Sequence, residues 1–229
     1  MAENEKAVEV KNMKHYDTVI FDLDGTLLNT LEDLADAVNY VMRANSYPER
    51  TIDEVRRFVG NGIRRLMELA VPEGVTGENF ERVFEEFKSY YTEHCQIKTC
   101  AYEGIMSLLD RLQAEGYAMA IVSNKNHAAV CELNDLYFKK YIETAIGQKD
   151  GIRKKPAPDT VLQALKELEK EPETAIYVGD SEVDFATAKN SEMDCVLVTW
   201  GFRTVEELAG FEPKALIDRP EQLIGVLEK

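Results

Sequence analysis

The sequence predicts an α/β protein: a Rossmann-like parallel sheet with helices on both faces, interrupted after its first strand by an all-helical insert. Three observations carry this. Residues 16–22 (YDTVIFD) are a short β-branched and aromatic run, the composition of a strand. The stretch from 30 to about 98 keeps helical spacing throughout and offers no convincing strand. From residue 103 onward, short apolar runs alternate with helical patterns, the rhythm of parallel strands joined by crossover helices.

In the insert, Leu31, Leu34, Val38, Val41 and Met42 form the apolar stripe of a helix over 30–46, which Pro48 ends. Further helices are expected at about 51–59, 62–71 and 76–95, separated by Gly60, Gly62, Pro72, Gly74 and Gly77. A helix at 103–115, closed by Gly116, leads to a strand at 117–122 (YAMAIV). Next come a helix at 126–136, a strand at 142–146, a helix at 158–170 and a strand at 174–178 (TAIYV). A helix at 182–191, a strand at 194–198 (DCVLV) and a β-α pair over 215–228 complete the chain. The economical division is an α/β core of residues 1–28 and 100–229 and a helical cap domain of residues 29–99. An insert at that place sits over the C-terminal ends of the strands, where open α/β sheets put their ligands. The mostly polar residues 1–15 are expected to form a short disordered or loosely docked arm.

Charge narrows the function. The 229 residues hold 27 Lys and Arg against 42 Asp and Glu, a formal charge of −15. That balance argues against a general nucleic-acid binder, which needs basic groups for the phosphate backbone. It argues equally against docking on an anionic membrane. No apolar run reaches the roughly 18 residues of a membrane span, and the N-terminus lacks the apolar core of a secretory signal. Cys95, Cys100, Cys131 and Cys195 form neither a CxxC pair nor a zinc spacing, the usage of free thiols in a reducing cytosol. The expectation is a cytoplasmic protein, monomer or homodimer, that binds neither nucleic acid nor membrane. An anionic small substrate stays open, because a local cluster or a bound cation reverses the field.

Four strand-end features carry chemistry. The first strand ends in Asp22-Leu23-Asp24-Gly25-Thr26, two carboxylates in a turn that Gly25 permits. Such a pair serves as nucleophile and general acid/base, or holds Mg²⁺ through hard oxygen ligands. A second acidic group, Asp180-Ser181-Glu182-Val183-Asp184, follows another strand. Asp184 there also suits plain capping of a helix N-terminus. Ser123-Asn124-Lys125 offers hydroxyl, amide and backbone N–H groups to phosphate oxygens. Lys155, in Lys155-Pro156-Ala157-Pro158-Asp159, offers a point charge just before a helix. Taken singly, Ser-Asn turns and Lys-Pro pairs are common in any protein.

In this order, DxDGT, SNK, KPxPD and GDSxxD resemble the motif set of the haloacid dehalogenase-like (HAD) hydrolase superfamily, with the resemblance running from about 16 to 225. The helical insert resembles the cap of the subgroup holding phosphoglycolate phosphatases, pyrophosphatases and β-phosphoglucomutases. Within it, Val59-Gly60-Asn61-Gly62-Ile63-Arg64-Arg65-Leu66 is similar to the GNG segment common in phosphoglycolate phosphatases. Val198-Thr199-Trp200-Gly201-Phe202 resembles the loop after the last core strand of that subgroup. The resemblance implies that Asp22 attacks phosphorus to form an aspartyl phosphate. Asp24 would protonate the leaving alcohol and then take a proton from the hydrolytic water. Mg²⁺ would be held by Asp22, the backbone carbonyl of Asp24 and Asp180, with Asp184 placing a bound water or joining the ligands. Ser123 and Lys155 would hold the transferring phosphoryl oxygens. Thr26, Asn124, Gly62 and Arg64 are the expected substrate-binding residues.

The expected activity is therefore Mg²⁺-dependent hydrolysis of a small phosphorylated metabolite, with phosphoglycolate first. Pyrophosphate and sugar or nucleotide monophosphates are the alternatives. Asp24 argues against a dehalogenase, which protonates no alkoxide. Gly25-Thr26 and Leu34 depart from the β-phosphoglucomutase pattern, which reads DGV and carries a histidine at the position of Leu34. Lys88 and Lys98 give the insert no convincing Schiff-base lysine for a phosphonoacetaldehyde hydrolase. A phosphoacceptor receiver module would need neither a cap nor Asp24. His15, His94 and His127 share no metal spacing, although His127 lies near the Ser123 loop. Phe80, Phe84, Phe87, Tyr90 and Tyr91 are expected to pack the insert.

Overall fold

Thr18–Phe21 (β1) is buried at all four positions, so its side chains carry no polar alternation. The computed structural model describes residues 16–228, and both the expected arm of residues 1–15 and His15 lie outside them. Leu28–Asn29 (β2) follows, then the helical insert: Leu31–Ala44 (α1), Ile52–Phe58 (α2), Ile63–Ala70 (α3) and Gly77–His94 (α4). Cys100–Ala101 (β3) returns the chain and pairs antiparallel with β2, Leu28 opposite Ala101. The two crossings of the insert are therefore hydrogen-bonded neighbours.

The rest alternates as expected: Ile105–Ala114 (α5), Ala118–Asn126 (β4), His127–Tyr137 (α6), Thr144–Gln148 (β5) and Asp159–Leu168 (α7). Ala175–Gly179 (β6), Glu182–Asn190 (α8), Asp194–Val198 (β7), Val205–Leu208 (α9), Ala215–Ile217 (β8) and Gln222–Leu227 (α10) complete it. The sheet order is β5-β4-β1-β6-β7-β8, and every pairing in it is parallel. The chain leaves β1 toward β4 on one side and later reaches β6 on the other. β1 therefore lies at the switch point, where parallel sheets open a crevice at their carboxyl ends.

Strand alternation divides the core. Val19 and Phe21 face one layer with Leu108 and Leu109 of α5, Val130 of α6 and Leu223 of α10. Ile20 faces the other, with Val161 of α7 and Ala188 of α8. The insert has a second apolar cluster, which Phe202 from beyond the insert joins: Leu34, Val38, Val41 and Met42 of α1 meet Val55, Leu66, Met67 and the α4 residues Phe80, Val83, Phe84, Phe87 and Tyr91. This is the stripe that the sequence spacing announced, and α2 opens with a Thr51/Glu54 capping box.

Several details depart from the sequence expectations. β4 runs to Asn126 rather than ending at residue 122, with a register shift between Val122 and Asn126. The strand expected at 142–146 lies at Thr144–Gln148. The two-residue strands β2 and β3, a 3-10 turn at Pro172–Thr174 and α9 were not anticipated, because pieces this short establish no period. The four cysteines are free thiols. Among the described residues no helix is long and apolar enough to cross a membrane.

Candidate active site

Asp22 follows β1 directly, and its backbone N–H donates to the Val178 carbonyl at 2.9 Å, extending the ladder to β6. The chain then turns at Gly25, whose φ is +93°. A Cβ there would collide with the Asp180 carboxylate and press on the Phe202 ring, so only glycine serves. The turn brings Asp24 back, and its Oδ1 accepts from Thr30 Oγ1 at 2.8 Å and from Lys125 Nζ at 2.9 Å.

Lys155 is buried between two acids. Its Nζ lies 2.6 Å from Asp22 Oδ1 and 2.8 Å from Asp184 Oδ1, and it donates to the Tyr177 hydroxyl at 3.0 Å. Asp180 follows β6, and its Oδ2 accepts from the Phe202 N–H at 2.7 Å. Asp184 does two jobs. It completes a capping box with Ser181 at the start of α8, and it anchors Lys155. Oxygens of Asp22, Asp180 and Asp184, all buried, lie within 4.8 Å of one another.

The electrostatics follow from that crowding. Burial, and then the neighbouring Asp184, push the Asp22 carboxyl up to about 7. Burial, followed by Asp184 and Asp22, raises Asp180 well above the usual carboxylate range. Burial opposes ionisation of Asp184 too, but the Lys155 ammonium overrides it and holds Asp184 low. Burial opposes the charge on Lys155, and Asp184 and Asp22 overcome it, so the ammonium is strongly favoured. Lys125 is likewise buried and held charged by Asp24. Four carboxylates against two ammoniums leave two negative charges in the site. Asp22 and Asp180 take up protons to relieve them, and a divalent cation bound by oxygen would relieve them instead.

A pocket of about 50 Å³ opens over these groups. Its floor is Asp22, Asp24, Ser123, Asn124, Lys125, Lys155 and Asp180, and the insert supplies Leu34, Val59, Gly60, Gly62, Ile63 and Leu66 as an apolar roof. A larger groove, about 570 Å³, continues outward past Gly62, Ile63 and Asn124, with His127, Lys149 and Lys154 along it. Gly62 has φ +85° at the start of α3, where a Cβ would stand 3.6 Å from the Asn124 carbonyl.

The structure thus gathers Asp22, Asp24, Ser123, Asn124, Lys155, Asp180 and Gly62 at one pocket, with Asp184 behind Lys155. Two expected substrate contacts are not brought there. Thr26 is fully buried beneath the turn, where its carbonyl accepts from Trp200 Nε1 at 3.0 Å. Arg64 lines the larger groove instead, in a two-pronged pair with Glu81 at 2.8 and 3.0 Å and over the Phe84 ring. Arg65 is paired with Glu68 on the same exposed surface.

Other residues at the pocket were not anticipated as functional. Lys125 stood inside a quoted motif without a role. Tyr91, expected only as packing, accepts through its hydroxyl oxygen from Lys125 Nζ at 2.9 Å. Arg203 follows the Trp200-Gly201-Phe202 loop and reaches the insert. It donates to the carbonyls of Val59 at 2.9 Å and Arg56 at 3.4 Å, while Glu182 neutralises it at 2.8 Å. Asn124 Nδ2 donates to the Gly60 carbonyl at 3.2 Å, and Lys154 Nζ to that of Asn61 at 3.2 Å. The carbonyls of Val59, Gly60 and Asn61 are thus each held by a side chain from beyond the insert. His127 lines the groove and its Nδ1 accepts from the Gly147 N–H at 3.2 Å.

Comparison with known proteins is consistent with this geometry. The family model described as haloacid dehalogenase-like hydrolase matches residues 19–198. The phosphoglycolate phosphatase of Aquifex aeolicus is 30% identical over 211 residues, covering 92% of this chain and 96% of that one. Phosphoglycolate phosphatase 1 of Pseudomonas aeruginosa is 32% identical over 212 residues, covering 90% and 78%. A crystal structure from Lactobacillus delbrueckii subsp. bulgaricus, described as a candidate phosphoglycolate phosphatase, superposes with a TM-score of 0.88 at 36% identity, over 93% of this chain and 98% of that one.

Proposed function

The chain belongs to the haloacid dehalogenase-like hydrolase family, and from that premise we propose that it is a phosphatase that hydrolyses phosphoglycolate through an aspartyl phosphate on Asp22. The observation that carries the reaction type is the buried Lys155 ammonium 2.6 Å from Asp22, at a pocket floor lined by three further motif residues, Asp24, Ser123 and Asp180. The choice of substrate draws on the relatives named phosphoglycolate phosphatase, which match this chain over nine-tenths of its length.

The donor set fits a magnesium ion: the oxygens are hard, the carboxylates converge, and two negative charges stand uncompensated. Asp22 and Asp180 would hold it, with the Asp24 carbonyl and Asp184. Bound there, Mg²⁺ supplies charge neutralisation to the phosphoryl group in transfer.

The chain's own residues account for the remaining steps. An Asp22 carboxylate oxygen attacks phosphorus, and the bond from phosphorus to the ester oxygen breaks. Asp24, which must enter the cycle protonated and regains that proton from the hydrolytic water, gives it to the departing oxygen, releasing glycolate. A water then loses a proton to Asp24 as its oxygen attacks the aspartyl phosphate, which frees inorganic phosphate and restores Asp22. Lys155 offsets the repulsion between the anionic nucleophile and the anionic phosphate. Ser123 presents its hydroxyl beside them. The apolar roof of Leu34, Val59, Ile63 and Leu66 thins the water over the site, which strengthens each of these interactions.

Phosphate release from a panel of phosphoglycolate, sugar and nucleotide monophosphates and pyrophosphate tests this. The expected result is the highest kcat/KM for phosphoglycolate, loss of activity in chelator, and no productive replacement of Mg²⁺ by Ca²⁺. Undiminished release in chelator would overturn the metal assignment. A higher kcat/KM for pyrophosphate or a sugar phosphate would overturn the substrate.

A further inference from the structure

We propose that Lys125 is the positioning residue for Asp24, and that Tyr91 of the helical insert sets where Lys125 stands. This rests on the acid/base role of Asp24 stated above and adds to it a physical link from the insert to the leaving-group side of the reaction.

The observations are geometric. Lys125 is buried, and its ammonium lies 2.9 Å from one Asp24 oxygen and 3.3 Å from the other. It therefore fixes the rotation of the carboxyl group as well as its place. Its remaining polar contact is the Tyr91 hydroxyl at 2.9 Å. The Tyr91 ring also lies under it, 5.2 Å from the nitrogen to the ring centre. Tyr91 is held in turn by the apolar cluster of the insert, where it stacks on Phe87 with centres 5.5 Å apart. The chain α4–Tyr91–Lys125–Asp24 thus runs from the packed interior of the insert to the carboxyl group that serves the departing oxygen.

Filling space does not by itself ask for a lysine at this place. A buried ammonium costs desolvation, and the Asp24 carboxylate is the partner that offsets it. Lysine fits because its flexible stem carries a compact charge to a second carboxylate, beside the one that Lys155 already serves. Two ammoniums divide the two reacting acids between them: Lys155 attends the nucleophile Asp22, and Lys125 attends Asp24. Only the second is anchored to the insert. A change in the insert's packing therefore reaches the proton-transfer group without touching the nucleophile.

The test separates the leaving-group side from the attacking side. Asp24→Asn, Lys125→Met and Tyr91→Phe are compared by rapid-quench measurement of phosphoenzyme formation. Phosphoglycolate, with a poor leaving group, is set against p-nitrophenyl phosphate, with a good one. Circular dichroism and thermal melting confirm that each variant is folded. Loss of a charge-assisted contact predicts that Lys125→Met slows the first step on phosphoglycolate by roughly ten- to a hundredfold. Tyr91→Phe removes one hydroxyl and is expected to slow it about three- to tenfold, with KM unchanged. Both effects should be much smaller on the aryl ester, because little protonation is needed there. Parallel losses on both esters in Lys125→Met and Tyr91→Phe, or no loss on either, overturn the inference if Asp24→Asn still discriminates between them. If Asp24→Asn does not discriminate either, the acid role of Asp24 fails and the inference falls with it. Tyr91→Phe also covers the case in which Lys125→Met does not fold, because it leaves every charge in place.

Discussion

At Asp22 the exchange of one oxygen for an NH₂ group separates catalysis from folding. On the proposed mechanism Asp22→Asn removes the attacking oxygen, and Lys155 keeps its 2.8 Å partner Asp184, so the core retains a paired ammonium. The expected outcome is no detectable phosphate release with an unchanged circular dichroism spectrum. The same residue gives the molecule a pH signature. The folded chain holds protons on Asp22, up to about pH 7, and on Asp180, while unfolded aspartates release theirs near about pH 4. The native state therefore binds more protons than the unfolded state in that window, and stability in chelator falls as pH rises through it. On the proposed function, magnesium would take the place of those protons. Its gain in melting temperature is expected to grow from pH 5 to pH 8, and a gain independent of pH would count against the shared site. Asp22, Asp180 and Asp184 were legible in the sequence because each directly follows an apolar strand or lies in the first turn of the helix after one, and Asp24 because it shares the first strand's turn with Asp22. The role of Lys125 was not, because a cation is defined by its partner, and Asp24 lies 101 positions away. The pairing of Arg64 was hidden for the same reason: its partner Glu81 is 17 positions on, in another helix.

Among the elements, the loop between α2 and α3 has the most to lose. Val59, Gly60 and Asn61 present their carbonyls to Arg203, Asn124 and Lys154, so the pocket roof is hung from the core by side chains. Arg203→Met removes the buried one of the charged pair. Because contacts to a charged group are worth about 1.5–3 kcal/mol, kcat/KM for phosphoglycolate is expected to fall roughly tenfold or more. Arg64→Ala, whose pair with Glu81 is exposed and screened, is expected to change it less than about twofold. Steady-state kinetics on the two variants decide between an anchored roof and one that is merely close. The long helices and the strands flanking β1 were readable from periodicity and from their closing glycines and prolines. The extension of β4 past Val122 was not, because its register shift sets polar Ser123-Asn124-Lys125 where a strand pattern expects apolar residues. That irregularity is also what delivers those three side chains to the pocket.

For the molecule as a whole, the parallel order β5-β4-β1-β6 makes the site. Motifs spread from residue 22 to residue 184 converge because the segments that follow four adjacent strands meet at one edge. The alternation of strands and helices made that convergence foreseeable, while the side-chain links across the roof required coordinates.

The short β2–β3 ribbon has a consequence beyond the reaction. Its two strands stand side by side, so the chain leaves for the helical insert and returns within about 5 Å. We propose that residues 30–99 are therefore an exchangeable part. Replacing them with a few Gly and Ser residues should leave a molecule that melts cooperatively, at a lower temperature, and no longer hydrolyses phosphoglycolate. A chain that fails to fold would show instead that the insert and sheet are one cooperative unit. If it folds, a foreign helical module spliced at the same seam would meet the same aspartates in the same place.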